Sequence, residues 1–386
     1  MAKSLYPRIL EAPEGSFFLF GARGVGKSTW ARARFPRVHW IDLLDERRYH
    51  ELLADPGLFG DELRTIRRGS RVVVDEIQRI PALLNEVHRA IENRGLRFIL
   101  LGSSARKLKV SGTNLLAGRA VWKTMFPLLP EELGGDFEIQ AVLRYGAIPL
   151  VWAATDRRRT LESYVQLYVR EEVKAEALVR NLPGFLRFLP IAAIFHGQLV
   201  NIAGIARDAG TARTTVSGYL DILEDTLLVH RLPAFEARLR VRERKHPKLY
   251  WVDPGLVRAV KRQLGPVTTE ERGLLLEGWV LGVLRAYAQE RELYEEIAYW
   301  APAQSRGVEV DFVLRRGHEV LALEVKSASR FSRSWLAGLK AIEELPGVVR
   351  RAIVYMGRER LKTEQGIEVW PIDHFLTLLR RRTLWP

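Results

Sequence analysis

A glycine-rich stretch near the start of the chain has the residue types and spacing of a phosphate-binding loop. Within SFFLFGARGVGKSTW, the pattern G-x-x-x-x-G-K-[ST] is filled by Gly21, Gly26, Lys27 and Ser28. Glycines let the backbone curl so that its N–H groups point at phosphate oxygens. A lysine at this position reaches the β- and γ-phosphates, and the hydroxyl that follows it ligates Mg²⁺. The sequence therefore predicts that ATP and Mg²⁺ are bound by Gly21, Ala22, Arg23, Gly24, Val25, Gly26, Lys27, Ser28 and Thr29.

Acidic and hydroxyl side chains follow two further apolar runs that read as buried parallel strands. The first run, Val72–Val74, ends in Asp75 and Glu76, and the second, within FILLGSS, ends in Ser103 and Ser104. Ligand sites in open α/β sheets lie at the carboxyl ends of the strands, where these residues fall. We expect Asp75 to hold Mg²⁺ and Glu76 to polarise the attacking water. Ser103 or Ser104 would then sense the γ-phosphate.

The stretch VEVDFVLRRGHEVLALEVKS places two carboxylates and an ammonium on one face of a predicted β-hairpin that turns at Arg316–His318. Side chains alternate faces along a strand. The apolar face of the first strand then consists of Val308, Val310, Phe312 and Leu314. Asp311 lies on the opposite face, together with Glu324 and Lys326 of the second strand. Solvent exposure and metal chemistry are the two interpretations of this charged face.

A fourth charged group, Glu277, lies upstream in the apolar face of a predicted helix, ERGLLLEGWVLGVLRAYA. Burial of a lone carboxylate costs several kcal/mol, so Glu277 needs a partner. A metal ion held together with Asp311 and Glu324 would supply that partner. Glu309, on the same strand face as Asp311, is either a bystander or a further ligand.

The segment LVNIAGIARDAGTARTTVSGYLDILEDTLLVHRLPAF has the layout of a winged helix-turn-helix. A short helix at Ile202–Ala209 is followed by a turn at Gly210 and a second helix from Thr211. The stretch LLVHRLPAF reads as the strand pair of a wing. The expected DNA contacts, at the start of the second helix and in the basic strip ARLRVRERKHPK, are Arg213, Thr214, Thr215, Ser217, Arg240 and Arg242. Winged helices also serve as protein-interaction modules, and that alternative stays open.

Composition supports a globular protein with a polyanionic partner. A chain of 386 residues predicts two or three domains, and a net charge of +14 favours nucleic acid as a partner. The predominance of Arg over Lys also fits a genome bias or a thermophilic habit. With no cysteine, disulfides and thiolate metal sites are excluded. No apolar run reaches the ~18–20 residues of a membrane span, and the start lacks a signal-peptide pattern, so we expect a cytoplasmic protein without a membrane partner.

Taken together, the motifs resemble the AAA-family ATPases with a C-terminal DUF4143 domain over nearly the full length. The resemblance rests on GARGVGKST, VVVDEIQRIPALLNEVH, ILLGSSARKL, LLAGRA, PKLYWVDPGL and VDFVL…ALEVKS. PKLYWVDPGL is a family hallmark without evident chemistry, which we interpret as a strand and turn leading into the last domain. Gly278 stands after Glu277, where relatives often carry Asn.

The resemblance implies roles for several charged residues. Glu277, Asp311, Glu324 and Lys326 resemble the PD-(D/E)xK nuclease core, in which the acids bind Mg²⁺ and the lysine positions or activates a water. The competing interpretation is an inactive fold with a Glu324–Lys326 ion pair. In AAA+ ATPases the position of Arg119, just before the strand Ala120–Met125, carries an arginine that reaches a neighbouring subunit's nucleotide. Arg106 is the weaker candidate. Such a finger implies a homo-oligomer, with a hexamer as one arrangement.

We therefore expect an α/β protein of four units. These are a P-loop AAA+ ATPase core at 1–130, a helical lid at 131–190, a winged helix-turn-helix at 191–236 and a DUF4143 nuclease-like domain at 237–386. Three functions fit: an ATP-driven machine that processes or cuts duplex or branched DNA, a DNA motor with an inactive nuclease-like clamp, and a nucleotide-dependent switch that binds proteins.

Overall fold

The computed structural model describes residues 6–104, 106, 108, 116–169, 182–236, 246–302 and 308–386. Within these ranges the chain is a mixed α/β protein with three sheets, and the α/β class predicted from the sequence is confirmed. Arg240 and Arg242, two of the expected DNA contacts, lie outside the described residues. In the described part, no helix combines the length and the apolar character needed to cross a lipid bilayer.

The first sheet is parallel and has the order β2-β3-β4-β1-β5. Its strands are β1 (Ser16–Phe20), β2 (His39–Asp42), β3 (Arg71–Asp75), β4 (Arg97–Gly102) and β5 (Ala120–Thr124). The helices around it are α1 (Lys27–Arg34), α2 (Glu46–Ala54), α3 (Gly57–Thr65) and α4 (Leu83–Arg94), with a 3-10 turn at Ile77–Arg79. Apolar side chains cover both faces of the central strands, which explains their uninterrupted hydrophobic runs. Because all five strands are parallel, their carboxyl ends meet at one edge.

Helices dominate the middle of the chain. They are α5 (Pro130–Leu133), α6 (Ile139–Tyr145), α7 (Pro149–Trp152), α8 (Arg157–Ser163), α9 (Leu182–Ile194), α10 (Ile202–Ala209), α11 (Arg213–Asp225) and α12 (Pro254–Val260). A 3-10 turn lies at Gly134–Asp136, and α8 continues as a π-helix over Tyr164–Val169. The helix predicted at Ile202–Ala209 forms with those bounds, and Gly210 ends it with a φ of +61°. The second helix begins at Arg213, two residues later than the sequence suggested.

The strand pair expected within LLVHRLPAF is wrong. A three-stranded antiparallel sheet has the order β6-β8-β7, with strands β6 (Gln198–Leu199), β7 (Val229–Leu232) and β8 (Lys248–Trp251). The stretch supplies only β7, and its partner is β8. After β7 the chain turns toward the C-terminal sheet, where the Phe235 amide donates to the Tyr299 carbonyl at 2.6 Å. The residues after Leu232 are therefore committed to another sheet.

The C-terminal part is built on a six-stranded mixed sheet of order β13-β14-β12-β11-β10-β9. Its strands are β9 (Glu296–Trp300), β10 (Val310–Arg316), β11 (Glu319–Lys326), β12 (Val348–Tyr355), β13 (Leu361–Lys362) and β14 (Glu368–Pro371). Its helices are α13 (Thr269–Arg291), α14 (Ala337–Ala341) and α15 (Ile372–Arg380), with 3-10 turns at Arg333–Leu336 and Ile342–Glu344. The predicted hairpin forms between β10 and β11, which pair antiparallel. The predicted order αβββαβ is present from α13 to β12.

The apolar residues of β10 divide between the two faces differently from the alternation expected. Phe312 and Leu314 belong to the core cluster that contains the side chains of α13, whereas Val310 packs with Val313 beside α14. The pairing of β10 with β9 shifts register between Val310 and Val313, which moves Val310 to the other face. Val308 lies before the strand.

Helix α13 connects the C-terminal sheet to the first sheet. The side-chain amide of Gln289 bonds both backbone groups of Thr124, at the end of β5, each at 2.8 Å. Near the other end of α13, the Leu274 carbonyl accepts the Nε2–H of His196 at 3.0 Å. Nδ1 of the same ring accepts the Trp251 amide at 3.0 Å, so the ring is neutral. Burial lowers the pKa of His196 to about 3.

The His196 ring also explains a glycine in α13. A Cβ on Gly278 would lie 2.5 Å from two atoms of that ring, whereas a Cβ on Gly282, one turn further along the helix, meets nothing within 4 Å. The position therefore excludes a side chain larger than hydrogen, because the histidine occupies the space.

We predict opposite effects for the same substitution one turn apart. Gly278→Ala forces the helix away from His196 and should destabilise the protein by about 1–3 kcal/mol. Gly282→Ala should be neutral or stabilise by up to about 1 kcal/mol, because alanine is the better helix former. Thermal and urea unfolding followed by circular dichroism measure both. Equal stability of the two variants would show that the His196 contact does not constrain α13.

Candidate functional site

The glycine-rich loop joins the carboxyl end of β1 to the start of α1. Gly24 and Gly26 have φ angles of +78° and +93°, which favour glycine. A Cβ on Gly21 would lie 2.6 Å from the carbonyl oxygen of Met125. The two glycines of the motif and Gly24 between them are therefore required by backbone conformation and close packing, and they give the loop the curl that phosphate binding needs.

Lys27 begins α1 and its side chain turns back into the loop. Its ammonium donates to the carbonyl oxygens of Gly21 at 2.7 Å and Ala22 at 3.4 Å, and the side chain is buried. Two groups from the middle of the chain lie over the same loop. The Leu150 amide donates to the Gly24 carbonyl at 3.3 Å, and the Tyr164 hydroxyl donates to the Arg23 carbonyl at 2.7 Å. The region 131–190, predicted from the sequence as a helical lid, thus contacts the loop.

Asp75 and Ser28 form an oxygen-donor pair beside the loop. Burial raises the pKa of Asp75 to about 6, while a hydrogen bond from the Ser28 hydroxyl opposes the shift. Glu76 and Asp42 add negative charge and raise the pKa further. Oδ1 of Asp75 is buried without a hydrogen-bond partner among the described residues. A carboxylate oxygen left free next to a hydroxyl fits a Mg²⁺ ion that also binds phosphate.

Glu76 and Ser103 are brought together, with Gln78 between them. The Gln78 side-chain amide donates to the Glu76 carboxylate and to Oγ of Ser103, the latter at 3.1 Å. Oγ of Ser103 lies 3.5 Å from the Glu76 carboxylate. Ser104 is fully buried, and its Oγ accepts the Arg106 amide at 3.1 Å, so it faces elsewhere. Sequence reasoning missed Gln78, although its position two residues after Glu76 in DEIQ was a usable signal.

Arg119 lies away from the loop of its own chain, and Arg106 pairs with a helix from the middle of the chain. Arg119 precedes β5, and Ala120 pairs with Ser16 at the start of β1, so Arg119 lies at the opposite edge of the sheet from Gly21. One strand length, about 15 Å, separates the two edges. Arg119 pairs with Glu92. The guanidinium of Arg106 binds Asp225 of α11, with Nη1 2.8 Å from Oδ2.

The second candidate site is a buried acidic cluster in the C-terminal part. Glu277 of α13, Asp311 of β10 and Glu324 of β11 are each less than 10% exposed, so the solvent-exposed interpretation is wrong. Oδ2 of Asp311 accepts the Val325 amide at 2.8 Å. Nζ of Lys326 lies 2.5 Å from Oε1 of Glu324. The four residues that the sequence grouped are therefore close together.

Sequence reasoning missed the cation at the centre of this cluster. Nζ of Lys248, on β8, lies 3.2 Å from Oε1 of Glu277 and 3.9 Å from Oδ1 of Asp311, and it pairs with Glu309. The Tyr250 hydroxyl, two residues along the same strand, donates to Oε1 of Glu277. Both residues belong to PKLYWVDPGL, where their spacing of two places them on one strand face. The partner of Glu277 is thus an ammonium and a phenol.

The arrangement does not fit the metal ion expected at Asp311 and Glu324. Among the described residues, no three His, Asp or Glu side chains are placed to hold a metal ion. Burial and Asp311 raise the pKa of Glu277 to about 7 and that of Glu324 to about 8. Burial lowers the pKa of Lys248, but the surrounding carboxylates outweigh it and hold that pKa above its usual range. Lys248 therefore stays charged.

The rest of the hallmark is structural. Asp253 caps α12 by accepting the Leu256 amide at 3.0 Å, and it also accepts the Ala147 amide at 2.6 Å. Gly146 has a φ of +75°, and a Cβ there would lie 1.8 Å from Oδ1 of Asp253. WVDPG therefore fastens the start of α12 to the end of α6.

The start of α11 is available for contacts with a partner. Arg213 and Thr214 are exposed there, and Thr215 and Ser217 are half-buried. The apolar residues of the helix, including Val216 and Leu220, face the core. The four polar residues predicted from the sequence therefore lie outside the buried apolar face of the helix.

Three family models match successive parts of the chain. An AAA domain matches residues 14–134, a domain of unknown function (DUF8612) matches 137–266, and a domain of unknown function (DUF4143) matches 272–375. The chain joins an AAA domain to a C-terminal DUF4143 domain. The resemblance inferred from the motifs is thereby confirmed, and the AAA match contains every residue of the glycine-rich loop.

Relatives of this AAA–DUF4143 chain include the uncharacterized protein Rv2008c of Mycobacterium tuberculosis, 29% identical over 336 residues, which are 84% of this chain and 72% of the relative. Among solved structures, the Aeropyrum pernix ORC1 protein in complex with DNA is 15% identical, covers 66% of this chain and 87% of its own, and has a TM-score of 0.26. The replication initiator DnaA bound to AMPPCP and single-stranded DNA is 15% identical, covers 55% and 82%, and has a TM-score of 0.27.

Removal of the Tyr250 hydroxyl tests the hydrogen bond to Glu277. Tyr250→Phe leaves a buried carboxyl with one donor fewer, and we expect a loss of about 1.5–3 kcal/mol in the free energy of unfolding. Tyr6→Phe is the matched control, because the Tyr6 hydroxyl binds Asp136 in an exposed position and should contribute less than about 0.5 kcal/mol. Urea unfolding compares the two. A Tyr250→Phe variant as stable as the control would contradict the contact.

Proposed function

We propose that the protein is an ATPase that couples ATP hydrolysis to the binding and remodelling of DNA. The observation that carries the first half is the placement of Lys27, Asp75 and Glu76 around one loop at the carboxyl edge of the first sheet. The AAA domain supports a nucleoside triphosphatase independently of that geometry. We place the protein in the cytoplasm.

The chemistry follows from the positions of the side chains. The loop amides and the Lys27 ammonium bind and orient the phosphates, and Ser28 and Asp75 would hold Mg²⁺. That ion, when bound, neutralises charge on the phosphate oxygens. Glu76 accepts a hydrogen bond from the attacking water and orients it toward the γ-phosphorus. Gln78 and Ser103 fix the Glu76 carboxylate, and Ser103 also lies where it can sense the γ-phosphate.

Arg119 is proposed to act on the nucleotide of a neighbouring copy. It lies at the far edge of its own sheet and cannot reach its own loop, so a role in hydrolysis requires a second subunit. Glu92, its partner within the chain, is exposed and can release it. A ring of copies, such as a hexamer, would bring each Arg119 to the next loop.

DNA is the proposed partner of α11. The chain carries a net charge of +14, and the first turn of α11 presents Arg213 and Thr214 to solvent. Charged and hydroxyl side chains at the start of the second helix of a helix-turn-helix contact phosphates and base edges. The basic strip with Arg240 and Arg242 follows in sequence and adds positive charge to this part of the chain.

Two substitutions should separate nucleotide binding from turnover. Lys27→Ala should abolish hydrolysis by loss of the phosphate contact, while Glu76→Gln should bind ATP and turn over about 10²–10⁴-fold more slowly. Binding is read from a fluorescent ATP analogue, and turnover from phosphate release. Glu51→Gln, on the exposed side of α2, is the control and should behave as wild type. Wild-type turnover in Lys27→Ala or Glu76→Gln would refute the assigned site.

Substitution at α11 should weaken DNA binding in a salt-dependent way. Arg213→Ala should lower the affinity for duplex or four-way DNA and reduce the slope of log K against log salt by about 1. Arg47→Ala, also exposed but on α2, should leave both unchanged. Fluorescence anisotropy at several salt concentrations measures the slope. Wild-type protein that ignores DNA at low salt would instead favour a protein-binding switch.

A further inference from the structure

The buried acidic cluster draws its charges from two different regions of the chain. The carboxylates of the cluster, Glu277, Glu309, Asp311 and Glu324, all lie within the DUF4143 match, whereas Lys248, on β8, lies within the DUF8612 match. The side chain of Lys248 is 4% exposed. An ammonium of one region thus lies inside the acidic cluster of another.

We propose that Lys248 is a built-in cation that takes the place a divalent metal ion has in nuclease domains of this shape. It neutralises the cluster, prevents metal binding there and makes the C-terminal domain a non-cleaving one. This inference goes beyond ATP hydrolysis and DNA binding, because it concerns a site that neither activity uses.

Geometry makes the ammonium and a metal ion mutually exclusive. A Mg²⁺ ion binds carboxylate oxygens at about 2.0–2.1 Å and needs a near-octahedral shell. Nζ of Lys248 already lies between Glu277, Asp311 and Glu309. A divalent ion on the same oxygens would stand within a few ångströms of a positive charge.

Two further carboxylate oxygens of the cluster already have partners. Oδ2 of Asp311 accepts a backbone amide, and Oε1 of Glu324 binds Lys326. Oε2 of Glu324 has no hydrogen-bond partner among the described residues, but alone it offers a single ligand.

The backbone that carries Lys248 is held on both sides. Strand β8 is the central strand of its sheet, so both of its neighbours, β6 and β7, hold the backbone at this position. The Tyr250 hydroxyl, on the same strand face, binds Glu277 as well. The cluster therefore also fastens β8 to α13.

The test is a titration of the full-length chain with Mn²⁺ alone, without nucleotide, read by electron paramagnetic resonance. The binding due to the cluster is the part that Asp311→Asn removes. In the wild type we expect no Asp311-dependent binding up to millimolar Mn²⁺. In Lys248→Met we expect such binding, with a dissociation constant at least tenfold below the highest Mn²⁺ concentration tested. Lys340→Met, an exposed lysine on α14, is the control and should match the wild type.

Cleavage of plasmid and four-way DNA with Mg²⁺ is measured on the wild type in parallel. Asp311-dependent cleavage, or Asp311-dependent Mn²⁺ binding by the wild type, would overturn the proposal. A folded Lys248→Met variant that gains no binding would overturn it too. If that variant does not fold, Lys248→Met with Glu277→Gln restores the charge balance, and the same gain is expected from Asp311, Glu324 and Glu309. Neither readout depends on ATP hydrolysis, so a failure of the proposed ATPase function would not change the result of this test.

Discussion

A carboxylate can be buried only with a partner, and this constraint organises the C-terminal half of the molecule. Desolvation of a lone ion costs several kcal/mol, and removal of one member of a buried pair leaves the other uncompensated. Glu277 meets the requirement through Lys248 and Tyr250, which are supplied by a strand of another sheet. The packing of β8 against α13 is therefore specified by charge as well as by apolar contact.

The glycine-rich loop is held by backbone conformation and not by paired charges. There the loop conformation is set by glycines with positive φ and by the close approach of Gly21 to Met125. Asp75, Glu76 and Ser103 are far from the loop in sequence, and the parallel strands bring them to the same edge of the sheet. Helix α13 connects the acidic cluster to the first sheet, because Glu277 lies in the cluster and Gln289 bonds the end of β5.

Local signals predicted most of the AAA domain and part of the rest. The loop, the strands before Asp75 and Ser103, the helix Ile202–Ala209 and the β10–β11 hairpin follow from patterns a few residues long. Lys248 and Gln78 were missed because their roles depend on partners in other elements. Likewise, the register shift that moves Val310 and the pairing of β7 with β8 are tertiary effects, which override alternation along a single strand.

The boundary between two of the family models separates Lys248 from its carboxylate partners. The DUF8612 match ends at 266 and the DUF4143 match begins at 272, so the gap between them separates Lys248 from Glu277. A fragment cut there for expression would expose Glu277, Asp311 and Glu324, which are buried in the intact chain, and the other fragment would carry Lys248 without its carboxylate partners. Domain dissection of this protein is better guided by side-chain partnership than by sequence families, with the middle and last regions kept on one polypeptide.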